Sequence, residues 1–146
     1  MKQPTLITVI LAGAVALLGC SVSPLRAAGA DAPEQAAQRA AESWLRLTDS
    51  GQYGPSWDAA AQLFKGAVTR DQWIKSIRSV RGPLGAVKTR ALQKATRTST
   101  LPGAPAGDYV VLQYVTSFEN KEGAGETITP MLESDGRWRV SGYYIK

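Results

Sequence analysis

The spacing of apolar residues changes once along this chain, at Gly82 and Pro83, and that change sets the fold class. Before it, apolar side chains recur every three or four residues, which is the spacing of one helix face. After it, β-branched and aromatic residues fill short runs separated by turn-forming residues, which is typical of strands. A set of helices followed by a set of strands predicts an α+β domain.

Three segments before the change are predicted to be helices, and each carries one tryptophan on its apolar face. The first, DAPEQAAQRAAESWLRLTDSG, would end at Gly51. Its apolar face is predicted to be Ala36, Ala40, Trp44 and Leu47.

The second predicted helix, SWDAAAQLFKG, would begin at Ser56 as N-cap. Its apolar face is predicted to be Trp57, Ala60, Ala61 and Phe64. The third, TRDQWIKSIRSVRGP, opens with a capping box of Thr69 and Gln72. Its apolar face is predicted to be Trp73, Ile74, Ile77 and Val80.

Four strands are predicted after the change, at residues 86–100, 109–118, 126–134 and 137–145. The loop LPGAPAGD separates the first two, ENKEGAG connects the second to the third, and DG forms the last hairpin turn. Pro130 lies inside a predicted strand and favours a bulge or an edge position there. Gly142 favours a bend or a close approach of another segment. On the fourth strand, the core face is predicted to be Trp138, Val140, Gly142 and Tyr144. The opposite face is predicted to be Arg137, Arg139 and Ser141.

Short connections favour three N-terminal helices packed on the inner face of a curved four-stranded antiparallel sheet. This is the architecture of cystatin-like or NTF2-like cones, in which sheet and helices enclose a pocket. Residues 31–146, which number 146 − 30 = 116, are enough for one core and too few for two domains. We therefore expect one α+β domain over 31–146.

Residues 1–30 have the layout of an export signal followed by a tether. Lys2 supplies the positive charge, and the uncharged segment Leu6–Leu18 is too short to cross a hydrocarbon core that needs about 20 residues. The sequence LLGC fits a bacterial lipobox in which Cys20 receives lipid. Ordinary cleavage after Ala30, with Ala28 as the other small residue, is the alternative and would discard Cys20. Both routes predict an exported protein of the periplasm or envelope, and the first also predicts a membrane anchor.

Four segments occur in a specific order over about residues 36–146: SWDAAAQLF, VTRDQWIKSIRSVRGPLG, YVVLQYVTSFENKEGAGETIT and DGRWRVSGYYIK. Through them the chain resembles domain-of-unknown-function family 4019, a family of small exported bacterial proteins. The resemblance implies an exported single domain. It implies no activity, because none is assigned to the family.

The composition argues against several kinds of catalytic site. The chain has no histidine, which is the commonest general base and transition-metal ligand, and Cys20 is its single cysteine. A thiolate zinc site is therefore excluded, and no calcium-binding spacing, Gly-rich phosphate loop or GxSxG motif occurs. We predict no metal and no cofactor.

Basic residues are concentrated between Lys65 and Arg97, a segment with nine basic residues in which Asp71 is the only acidic residue. From Thr98 onward there are four basic and six acidic residues. A basic strip would suit anionic lipid headgroups, polyanionic glycans or an acidic partner, although a solvated surface is the simpler explanation. No groove-reading motif occurs in the strip, so nucleic acid is not an expected partner.

The candidate ligand-binding residues are Arg81, Arg90, Tyr114, Asn120, Lys121 and Glu126. The two arginines flank the helix-to-strand turn, where each would hold an anion if it faced a pocket. The tyrosine could direct its hydroxyl into a cavity, and the glutamate could act as an acid or base beside an apolar wall. Ion pairs, a core aromatic ring and a solvated turn explain the same residues without a function, and both interpretations remain open.

The sequence thus predicts a non-enzymatic binding or interaction module that meets an unknown envelope protein or a small ligand. Two alternatives stay open. One is an NTF2-like enzyme that uses Glu126 or another carboxylate with Tyr114 as its hydrogen-bond partner. The other is a structural homodimer formed through the outer sheet face. A roomy pocket with a buried, desolvated carboxylate would favour the enzyme, and a cone filled by side chains would oppose it.

Overall fold

In a computed structural model of the chain, residues 32–146 are described. The predicted signal, the tether and Cys20 lie outside them. The helices are α1 (Pro33–Asp49), α2 (Tyr53–Asp58), α3 (Gln62–Ala67) and α4 (Arg70–Arg81). The strands are β1 (Val87–Thr98), β2 (Asp108–Phe118), β3 (Lys121–Leu132) and β4 (Trp138–Ile145). They form one antiparallel sheet in the order β1-β2-β3-β4. The α+β class and the four-stranded antiparallel sheet are confirmed.

The second predicted helix is divided into α2 and α3, so residues 32–146 contain four helices instead of three. The division lies at Ala61, which has an extended backbone and whose N–H donates to the carbonyl of Val140 on β4 at 2.8 Å. A helical hydrogen bond is thus replaced by a tertiary one. Ser56 is therefore not an N-cap. It lies inside α2, where its hydroxyl donates to the carbonyl of Tyr53 and accepts from the indole N–H of Trp73.

The buried face of α1 is displaced by about one position from the prediction. The residues that are buried are Ala37, Ala41, Trp44, Leu45 and Thr48. Of the predicted face, only Trp44 belongs to this set, and Ala36, Ala40 and Leu47 are half-buried. The paired alanines at 36–37 and 40–41 fit either stripe, so the packing of α1 against β3 and β4 decides between them.

The aromatic side chains form the centre of the core between the helices and the sheet. Trp44 and Trp73 are 3% and 7% exposed, and their ring centroids are 5.7 Å apart. Trp57 is half-buried against this cluster, and its indole N–H donates to the carbonyl of Val68 at 2.8 Å. The expectation that these three tryptophans pack toward the core agrees with this arrangement. The capping box of α4 is also present, with reciprocal bonds between Thr69 and Gln72.

The predicted turn over residues 119–125 is too long. Because β3 begins at Lys121, only Glu119 and Asn120 connect β2 to β3. The following residues, including Gly125 opposite Val115, already pair with β2.

A β-bulge in β4 reverses the predicted orientation of its C-terminal half. Thr129 pairs with Gly142 and Pro130 pairs with Val140, so Ser141 is an extra residue in β4. The bulge expected near Pro130 is therefore present. Because one inserted residue inverts the alternation, the prediction that Gly142 and Tyr144 face the core is wrong. Tyr143 packs against the core instead, and Tyr144 is 60% exposed.

Candidate functional site

Four charged side chains from four elements meet beside the core. Asp49 ends α1, Arg81 ends α4, Arg90 lies in β1 and Glu126 lies in β3. Arg81 Nη2 is 2.7 Å from Asp49 Oδ1, and Arg90 Nη1 is 2.7 Å from Asp49 Oδ2. Arg90 Nε is 2.6 Å from Glu126 Oε2, and Arg81 Nη1 is 3.5 Å from Glu126 Oε1. We call these four residues the ion network. Its formal charges cancel, and this pairing offsets part of the cost of removing the charges from water.

Glu126 is the centre of the ion network, and its carboxylate is fully hydrogen-bonded. The residue is 0% exposed. Oε2 accepts from Arg90 Nε and from the hydroxyl of Thr116, and Oε1 accepts from Arg90 Nη2 and the hydroxyl of Tyr143. A carboxylate offers about four lone-pair positions, so these four donors occupy all of them. Glu126 therefore has no free position for a substrate proton.

The same contacts determine the protonation states of Asp49 and Tyr143, which lie next to Glu126 in this site. Burial alone would raise the pKa of Asp49, but the hydrogen bonds and charges of Arg90 and Arg81 hold that pKa below its usual value. Burial, followed by the charge of Glu126, raises the pKa of Tyr143, so its hydroxyl stays protonated and donates to Glu126. The network therefore keeps one fixed arrangement of donors and acceptors near neutral pH.

A groove with a volume of about 390 Å³ lies between α1 and β1, next to the ion network. Residues that line it include Gln38, Glu42, Asp49, Arg90, Leu92 and Tyr114. Asp49 and Arg90 thus serve both the groove and the network. We call this feature the α1–β1 groove. Its volume falls near the lower end of the range for small-molecule sites, about 300–1,000 Å³.

Tyr114 lines the α1–β1 groove and carries a hydroxyl that has no hydrogen-bond partner. The residue is 5% exposed, and its hydroxyl oxygen is shielded from solvent yet makes no bond with any residue of 32–146. Burial and, secondly, the negative charge of Glu42 raise the pKa of Tyr114 to about 12. A buried hydroxyl without a partner is unfavourable by about 1–3 kcal/mol, so a hydrogen bond from water or from a polar atom of a bound molecule would be favourable there.

The structure brings together four of the six predicted residues: Arg81, Arg90, Tyr114 and Glu126. Asn120 and Lys121 are not part of the groove or the network. Both are exposed at the β2–β3 turn, where the amide of Asn120 donates to the carbonyl of Pro83 at 3.1 Å. The two arginines pair with carboxylates of this chain.

Sequence reasoning missed Asp49, Thr116, Tyr143 and Glu42. The sequence did contain one indication for Asp49. An acidic residue at the C-terminal end of a helix is unfavourable with the helix dipole, so it suggests a nearby cation that compensates its charge. A bulge was expected near Pro130, but the sequence did not show that its extra residue would be Ser141 in β4, which is what places Tyr143 on the core face. Glu42 and Thr116 have no distinguishing sequence context.

The predicted basic strip is neutralised in part by pairing. Of its nine basic residues, Arg70 pairs with Asp58 and Arg97 pairs with Asp108, while Arg81 and Arg90 belong to the ion network. Lys65 lies over the ring of Trp57, 5.5 Å from its centroid. The strip is therefore not one continuous surface of uncompensated positive charge.

Two features are absent from residues 32–146, the part of the chain that the structure describes. Within that range, histidine, cysteine and carboxylate side chains form no cluster of three or more that would hold a metal ion. No helix in the same part of the chain combines the length and apolar character that spanning a bilayer requires.

These features define a class of protein: an α+β fold with a partly buried ion network, neutral in formal charge, next to an open groove. Its family is that of the "Protein of unknown function (DUF4019)", whose model matches residues 40–143, and the chain belongs to it. A search of curated proteins finds no match. Among solved structures, the chain is similar to a protein from Catenulispora acidiphila determined at 2.5 Å, with 10% identity. That similarity covers 77% of this chain and 88% of the other, with a TM-score of 0.47.

Proposed function

We propose that this chain is an exported bacterial envelope protein, anchored in a membrane by lipid on Cys20. Its domain is a non-enzymatic binding module that holds a small ligand in the α1–β1 groove. In this proposal the helices and the sheet form a cystatin-like or NTF2-like cone whose opening is the groove. The single observation that supports the binding site most strongly is the shielded, unpartnered hydroxyl of Tyr114 at the groove.

The proposal favours binding over catalysis because of Glu126. An acid or base must exchange a proton with its substrate and so needs a free lone pair. All positions of the Glu126 carboxylate are occupied by donors of this chain. The NTF2-like enzyme that uses Glu126 is therefore the weaker alternative.

The ligand site is tested without assuming what binds. The full chain is purified from the envelope fraction under mild conditions and examined by native mass spectrometry. We expect a bound small-molecule adduct on the wild type and on Tyr144→Phe. Tyr144 is the control because its side chain is exposed on the opposite face of the sheet. We expect the adduct to be reduced on Tyr114→Phe. Equal adducts on all three proteins, or none on any, would reject the groove as the site.

Export and anchoring are tested separately. Lipid labelling of the wild type is compared with Cys20→Ser, and the N-terminus of the mature protein is determined by mass spectrometry. We expect label on the wild type alone. Equal label on both, or a free N-terminus at Asp31, would reject the lipid anchor.

A homodimer through the outer sheet face is supported by two exposed apolar side chains there. Val115 is 43% exposed and Tyr144 is 60% exposed. The mass of the protein in solution decides this alternative. A monomer at micromolar concentration would reject it.

A further inference from the structure

The hydrogen-bonding groups that remain free in the α1–β1 groove restrict the ligand chemistry. Glu42 Oε1 accepts from the amide of Gln38 at 2.8 Å. Its second oxygen accepts no bond from the described residues, and Tyr114 likewise has a hydroxyl without a partner. The groove therefore offers a carboxylate acceptor beside a hydroxyl that can both donate and accept.

The arginine and aspartate of the groove are already committed to each other. Arg90 uses four of its five N–H donors on Asp49 and Glu126. Asp49 accepts three bonds from Arg81 and Arg90. Each side chain keeps only about one free position, so a bidentate bond to an external charge would break the ion network.

The remaining charges of the groove cancel. Glu42 and Arg46 lie four residues apart on α1, and both line the groove. For an anion, repulsion by Glu42 offsets attraction by Arg46, and for a cation the reverse holds, so the groove gives neither charge a net attraction. A neutral molecule is therefore favoured, because it loses no hydration of a charge on binding.

The groove also has an apolar wall. Leu92 on β1 pairs with Tyr114 on β2 and is 36% exposed. A molecule with C–H groups on one side and hydroxyls on the other would cover Leu92 while it bonds to Glu42 and Tyr114. A hydroxyl suits that position because it donates to the carboxylate while it accepts from the phenol.

We infer that the ligand of the α1–β1 groove is a neutral polyhydroxyl compound of the saccharide class, with one hydroxyl bonded to both Tyr114 and Glu42. This inference rests on the proposed function, because it requires the groove to be a binding site. It adds the chemical class of the ligand and assigns Glu42 as a second binding residue. Arg90 and Asp49 shape the site without contacting charge on the ligand.

The test uses saturation-transfer NMR on the full chain with probes at millimolar concentration. The probes are methyl β-glucoside and maltotriose as neutral sugars, glucuronate as an anion and glucosamine as a cation. We expect saturation transfer to the neutral sugars. Tyr114→Phe and Glu42→Gln should each weaken their binding about fivefold to tenfold, the effect of one hydrogen bond. The matched variants Tyr144→Phe and Glu122→Gln, which make the same chemical changes at exposed positions, should leave binding unchanged.

The source of the sugar is resolved by a second arm. Phosphatidylcholine vesicles with and without a neutral glycolipid are compared in a sedimentation assay. Retention by the glycolipid vesicles indicates a lipid-borne saccharide, and binding of maltotriose alone indicates a soluble one.

Three results would overturn the inference. These are preferential binding of glucuronate or glucosamine, sugar binding that neither groove variant weakens, and no binding of any probe. If the native adduct described above persists in the third case, the ligand class is wrong while the binding function stands. If the adduct is absent as well, both fail. Loss of the melting transition in Tyr114→Phe is not expected, because the hydroxyl has no partner to lose.

Discussion

Replacing Arg90 by methionine should destabilise the domain strongly, because it removes two bridges from a buried site. The guanidinium makes two hydrogen bonds to Glu126, which is 0% exposed, and two to Asp49. Removing one partner of a buried ion pair leaves the other charge without compensation and costs about 3–5 kcal/mol. Unfolding in urea, followed by tryptophan fluorescence, should show a midpoint at least about 1 M lower than that of the wild type.

Arg97→Met is the matched control, since it makes the same change on the same strand. Arg97 also makes two bonds to one carboxylate, that of Asp108, but its side chain is 46% exposed. Solvent screens this pair, so its loss should change the midpoint little. Equal shifts for the two variants would refute the argument that burial makes the ion network strong. Addition of Glu126→Met to Arg90→Met should recover part of the loss, because the uncompensated carboxylate is then removed.

Three further predictions follow from other contacts. The pKa of Asp49 is lowered in the folded state. The ionised Asp49 therefore stabilises the fold above the unfolded pKa of 3.8, and this stabilisation is lost as the pH falls through the folded pKa. Urea midpoints of the wild type should fall between pH 5 and pH 3 more steeply than those of Asp49→Asn. Thr69→Ala removes the side-chain cap of α4 and should lower the free energy of unfolding by about 1 kcal/mol, whereas Ser79→Ala on the exposed part of the helix should change it little. Deletion of Ser141 removes the extra residue of the bulge but leaves Gly142 opposite Thr129 and Val140 opposite Pro130. Tyr143 should therefore still pack against the core and near-UV circular dichroism should keep its aromatic signal; loss of that signal would contradict the assigned register.

Local signals in the sequence were sufficient for the elements whose ends are determined by their own residues. The capping box at Thr69 and the stop at Gly82 define α4 within a few residues, and the structure confirms both. Gly51, with φ at +73°, likewise follows the end of α1 as predicted. Such features need no tertiary partner, which is why they can be predicted from one sequence.

The errors occurred where a distant residue decides the local conformation. The break at Ala61 depends on the carbonyl of Val140, which is 79 positions further along the chain. The orientation of Tyr143 depends on the extra residue at Ser141, and that depends on pairing with Pro130. The candidate site was predicted in part for the same reason: Arg81, Arg90 and Glu126 were identified as polar residues, but their mutual contacts are long-range.

The position of Arg90 links the binding of a ligand in the groove to the stability of the whole domain. This one guanidinium joins the sheet to the end of the first helix, and the same side chain forms part of the groove wall. A molecule that binds the groove only while the sheet and the first helix are in contact must also oppose their separation. The reason is that binding to the native state alone shifts the unfolding equilibrium toward that state. Occupancy would then be visible as slower amide exchange in the first strand, far beyond the few atoms that the molecule touches.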